Sequence, residues 1–243
     1  MTEEEWNTSN DPSGMLRFLF TRKNGRLSPT ERKPRHFAVA CCRRVVGRIS
    51  DQAVHRAIET AEQFAETLPS QLGANHCQGQ LRLVAASDIT AQAVVRAVDC
   101  AVNITILPDR LWSGWANPYD SCVVNASWWS VEAVYQEAVY YGAPNPETWK
   151  QSRADEELAQ TQLLRCIFGN PFRPAVLDPE WRTSTVVQLA RGIYDDRDFD
   201  RLPILADALQ DAGCDNPEVL NHCRQPGPHA RGCWVVDLVL GKV

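Results

Sequence analysis

The chain has 243 residues, 44% of them apolar and 23% charged, with a net charge of −5 at pH 7 and a pI near 5.6. These values exclude wholesale disorder and leave room for one large domain or two small ones, each with a buried core. The start, MTEEEW, has no basic or apolar signal region, and no run approaches the roughly 18 apolar residues of a membrane span, so a cytoplasmic protein without membrane contact is expected.

Asp11 and Pro12 form a cap and a first helical position, and Met15, Leu16, Phe18 and Leu19 predict the first helix. TRKNGRLSPTERKPRH reads as a basic loop whose glycine and prolines stop any helix. Phe37, Cys41, Val45 and Ile49 recur every fourth residue and predict a second helix. Ser50 and Asp51 cap a third, carrying Val54, Ile58, Ala61 and Ala65 and ending at Leu68-Pro69. Ser70–Gln80 has a linker's composition, and an Ala-rich helix is predicted from Leu81 to Leu107. A loop with Trp112 and Trp115 leads into a helix over 127–141 that Gly142 ends.

APNPETW reads as a turn, followed by a helix over 152–168 with Leu163, Leu164, Ile167 and Phe168 inside. GNPFRPAVLDPEW is irregular, because its prolines forbid both a helix interior and a central strand. Val186, Leu189, Ala190 and Ile193 show i, i+3, i+4, i+7 spacing, and Leu202, Leu205, Ala206 and Leu209 form a second helical set stopped by Gly213. Asn216-Pro217 opens a short helix through Val219 and Leu220. The closing CWVVDLVLG would suit a strand by its β-branched content but is assigned to a helix ended by Gly241. The sum is an all-α protein, a compact multi-helix bundle of about nine helices with irregular Pro-rich connections. It reads as a single domain, 1–243, which a seam at the Gly142–Lys150 turn would divide into 1–142 and 150–243.

The blocks GNPFRP, LPILADALQDAGCDN and HCRQPGPHARGCWVVDL, joined to DPSGMLRFL and FAVACCRRV near the start, resemble an uncharacterised family of bacterial intracellular proteins. The resemblance implies a complete intracellular member and no particular activity, cofactor or fold.

Charge is uneven. Residues 17–48 hold ten basic residues and one acidic one, a local +9, while the other 15 basic and 29 acidic residues give −14. Such a surface suits an acidic partner or nucleic acid, or it docks on the acidic body of the same chain. The overall pI weighs against a dedicated DNA binder. Arg43, Arg44 and Arg48 are the partner-binding candidates there, with Trp112 and Trp115 as aromatic ones. Trp128 and Trp129 complete that tryptophan set and read more simply as core.

Cysteine chemistry concentrates near the C-terminus. Of the nine cysteines, Cys41, Cys42, Cys100, Cys122 and Cys166 lie in apolar helical runs and read as buried free thiols, whereas Cys77 beside His76 reads as exposed. Cys214, His222, Cys223, His229 and Cys233 share one Pro- and Gly-punctuated segment and are the candidate zinc ligands. No paired C-x2-C knuckle is present, and adjacent His222 and Cys223 would diverge by about 100° on a helix. The apolar faces of the flanking helices therefore favour packing without metal, and no cofactor is expected. Cys233 with His229 is a nucleophile–base candidate without an identifiable third member. Asp195, Asp196, Asp198 and Asp200 lack a calcium-loop pattern, and Asp198 reads as a helix N-cap. The common hydrolase, zincin, nucleotide and dinucleotide signatures are missing from the sequence. The expectation is a non-catalytic helical interaction or regulatory protein with a protein partner. The alternatives are an enzyme with a Cys/His site near the C-terminus and a nucleic-acid binder using the 17–48 surface.

Overall fold

Helix starts follow the chain's caps closely. In the computed structural model, which describes residues 1–20, 32–67, 89–103, 122–141 and 145–242, these starts open eleven α-helices and no strand among the described residues. They are α1 Glu3–Thr8, α2 Pro12–Phe20, α3 Arg32–Val45, α4 Gln52–Glu66, α5 Ile89–Asn103 and α6 Cys122–Tyr141, then α7 Pro146–Phe168, α8 Ser184–Asp196, α9 Leu202–Asp211, α10 Pro217–Arg224 and α11 Trp234–Leu240. Asp51 caps α4 by accepting from Ala53 N–H at 2.7 Å, and Thr183 caps α8 by accepting from Val186 N–H. Gly241, at φ +68°, closes α11 in the left-handed conformation that a Cβ would strain.

Four boundaries differ from the sequence reading, one of them the start of α6, at Cys122 and not at residue 127. α3 begins at Arg32, inside the segment read as loop, because Pro34 falls in the first turn, where its missing N–H has no intrahelical partner to lose. It also ends at Val45 in a short 3-10 turn, before Ile49. For a similar reason α7 starts at Pro146 in the segment read as a turn, with the Asn145 side chain accepting from Glu147 N–H at 3.0 Å. Asp198 precedes a 3-10 turn but makes no side-chain capping bond. The short helix α1 was not legible at all. Its one large apolar residue, Trp6, is 1% exposed.

The chain divides into two compact units, with the division falling inside α7. Unit 1 holds residues 8–161 (and Met1). In it α3 packs against α4, α5 and α6, so almost its whole circumference is buried, from Phe37 through Cys42. Alanines at 57, 61, 93, 97 and 101 let the neighbouring helices approach closely. Unit 2 holds residues 2–7 and 162–243. There α8 packs on α9 and α11, and α10 on α9, around Val186, Ile193, Leu202, Leu205, Leu209, Val219 and Val236. Trp6 joins this unit: its indole N–H donates to Gly169 O at 3.1 Å, and Arg165 Nε donates to Trp6 O at 3.0 Å. Among the described residues no helix is long and apolar enough to cross a membrane.

Candidate functional site

Cys166, His222, His229 and Cys233 converge in unit 2, their sulfur and ring-nitrogen atoms all within 4.8 Å of one another. Local structure accounts for each placement. Cys166 lies on the last turns of α7. His222 sits on α10, whose start is fixed by Asn216, an N-cap accepting from Glu218 and Val219 N–H, and by Pro217 at the first helical position. Gln225 then turns the backbone extended and ends α10, and the next residue is Pro226. The loop carrying His229 closes through Gly232, at φ +88°, onto Cys233, the N-cap residue of α11.

The contacts within the cluster are short. His222 Nε2 lies 3.2 Å from Cys233 Sγ, and His229 Nδ1 lies 3.3 Å from Cys166 Sγ. His229 Nε2 faces the Gln225 carbonyl at 3.4 Å, which makes Nε2 a donor and turns Nδ1 toward the sulfurs. The two imidazoles meet edge to face at 5.1 Å between centroids, with the Trp234 indole 5.2 Å from His222. Both sulfurs are buried, Cys233 completely, while both histidines are half-buried.

Titration of the group follows from these neighbours. Burial alone pushes Cys233 up, but hydrogen bonding from Cys166, His222 and His229 and the charge of His222 outweigh it and hold Cys233 well below the ordinary thiol value. Cys166, hydrogen-bonded to that sulfur and buried, is pushed well above it. Burial draws His229 down, and its contacts with Cys233 and the Gln225 carbonyl more than reverse this. The arrangement gathers two sulfurs and two imidazoles around a common point, a set suited to a borderline-soft cation.

The chain matches no family model, and neither a curated protein nor a solved structure matches it.

Of the five residues singled out by sequence, three meet here. Cys214 and Cys223 instead enter the apolar core of unit 2, where burial raises both thiols. Cys223 follows His222 in sequence and points away from it, as a helical turn dictates. The fourth member, Cys166, read only as core; it lies 63 positions from His229, and no local pattern links them.

The other candidates fall elsewhere. Arg43 pairs with Glu62 at 2.8 Å, Arg44 grips both oxygens of Glu156 at 2.9 to 3.1 Å, and Arg48 pairs with Glu137 at 2.5 Å. These guanidiniums thus dock on the acidic residues of their own unit. Trp112, Trp115, His76 and Cys77 lie outside the described residues. Trp128 is exposed and meets Trp129 edge-on, with Arg96 stacked 4.4 Å over the Trp129 ring. Asp195, Asp196, Asp198 and Asp200 stay exposed along the α8–α9 connection.

Unit 2 also carries a shallow groove of about 560 Å3, lined among others by Arg173, Pro174, Val176, Trp181, Asp215 and Glu218. Val176 is 79% exposed there, and no member of the Cys/His cluster lines it.

Proposed function

We propose that the chain is a non-catalytic helical interaction protein, and that the groove of unit 2 receives an extended segment of a protein partner. The observation that carries this reading is the groove's chemistry: the exposed Val176 and the half-buried Trp181 line it, together with the rigid Pro174 and Pro217 and the exposed Asp215. Tryptophan and rigid apolar walls favour anchoring of a side chain, and an acidic edge favours a cation in the bound segment. Arg173 pairs closely with Glu3 and only distantly, at 3.8 Å, with Glu218, so Glu218 and Asp215 together keep the groove acidic.

The enzyme alternative has less support. The donors of the Cys/His cluster face one another within 4.8 Å, which leaves no room for a substrate among them. Cys233, held below the ordinary thiol value, is 0% exposed and has no approach for an electrophile. The nucleic-acid alternative loses Arg43, Arg44 and Arg48 to internal carboxylates.

A displayed library of random peptides tests the reading. Selection on the full chain is expected to enrich sequences that combine an apolar side chain with Lys or Arg. Val176→Asp should abolish that binding, and Asp215→Lys should reverse the charge preference. Enrichment indifferent to both substitutions, or none, would overturn the proposal.

A further inference from the structure

We propose that Cys166, His222, His229 and Cys233 bind a Zn2+ ion as a closed Cys2His2 site that staples the C-terminal unit. The sequence alone favours packing without metal; the arrival of Cys166 from α7 is what points the other way. With Zn–S of about 2.3 Å and Zn–N of about 2.0 Å, a regular tetrahedron has donor–donor edges of about 3.3 to 3.8 Å. Two of the cross-pairs here are 3.2 and 3.3 Å, and no pair exceeds 4.8 Å. A cation at the centre therefore needs donor movements of under about 1 Å.

Donor type selects the metal. Two sulfurs and two imidazoles in a tetrahedral cluster suit zinc, whereas magnesium and calcium require oxygen ligands. The outer contact is also in place, since the Gln225 carbonyl accepts from His229 Nε2 and presents Nδ1 inward. Four chain ligands leave no open position, which marks a structural centre and not a catalytic one.

The fold supplies a reason for the ion. The segment from Arg224 to Gly232 contributes no side chain to the apolar cluster of unit 2. Arg231 ties it to the end of α8 through the carbonyls of Tyr194 and Asp195, and His229 is its contact with the Cys/His group. Thiols are weak hydrogen-bond donors, so the two cysteines bring only weak donors to the group. A shared cation replaces those weak contacts with four coordinate bonds joining α7, α10, the loop and α11. On binding, any proton carried by either sulfur or by a ligating ring nitrogen passes to solvent. Both sulfurs then bind as thiolates and both imidazoles through lone pairs, and no oxidant or reductant is consumed.

Elemental mass spectrometry of the full chain, purified from zinc-supplied cells, is expected to find one zinc per chain. Replacement by Co2+ should give the intense visible bands of a tetrahedral ion and a sulfur-to-cobalt charge-transfer band. Cys166→Ser, Cys233→Ser and His229→Ala should each lower the bound metal by about tenfold or more, while Cys214→Ala and Cys223→Ala keep it. A wild-type chain that takes up neither Zn2+ nor Co2+, or a weak octahedral cobalt spectrum, overturns the proposal even if the ligand variants fail to fold. So does metal that survives Cys166→Ser and is lost in Cys214→Ala. The site draws nothing from the groove: peptide selection can fail while zinc uptake stands.

Discussion

The two units bury polar groups in opposite ways. Unit 1 encloses complementary charges: Glu156, 4% exposed, receives Arg44 on both oxygens and the Gln160 amide at 3.1 Å, and Gln160 in turn accepts from the Ser127 hydroxyl. Glu62, 3% exposed, is met by Arg43. Each acceptor there has a strong donor. Unit 2 encloses two sulfurs and two imidazoles, a set rich in lone pairs and poor in strong donors. A cluster of the first kind completes itself on folding, whereas one of the second kind is completed by a cation.

The largest expected break in this contrast comes from metal removal. If zinc staples unit 2, dialysis against a strong chelator should cost about 4 kcal/mol at a metal concentration a thousandfold above Kd. Hydrogen exchange should show lost protection over His222–Leu240 and unchanged protection over Phe37–Val45. Equal loss in both units would erase the distinction. Next in size is Glu156→Ala, which leaves Arg44 and Gln160 without their carboxylate. About 3 kcal/mol of unfolding free energy should disappear by urea titration, somewhat less if solvent reaches Arg44, whose side chain is a third exposed. Zinc content should not change.

Arg48→Ala removes a pair whose side chains are 25% and 43% exposed, and solvent screening should hold the cost under about 1 kcal/mol. A loss as large as that of Glu156→Ala would show that exposure does not rank these pairs. The smallest effect belongs to Glu3, whose carboxyl is held below its usual range by hydrogen bonds from Asn170 and Arg173. Because the folded pKa is the lower one, this contribution is present above the ordinary carboxylate pKa and fades as pH falls through the depressed value. Acid titration of Glu3→Gln should therefore lie below wild type at neutral pH and merge with it in strong acid. A constant offset across that range would sever the link to ionisation.

Much of the architecture was legible because it is local. Cap residues such as Asp51, Thr183 and Asn216 and the apolar spacing of Val186, Ala190 and Ile193 act within one or two turns, so residue type alone fixes their helices. Proline misled the reading at Pro34 and Pro146, where position within the first turn decides between start and stop. The charge imbalance of residues 17–48 was equally plain, but its meaning was not: a run of arginines looks the same whether it faces a partner or the chain's own Glu62, Glu137 and Glu156.

The sequence by itself determined that the chain is helical, where most helices begin, and that thiol and imidazole chemistry gathers near the C-terminus. Only the tertiary structure decided which of those groups meet. Helical geometry sends neighbours His222 and Cys223 in different directions, one to the cluster and the other to the core, and packing brings Cys166 in from another helix. Convergence of side chains depends on how helices dock, a long-range property that spacing along a chain does not encode.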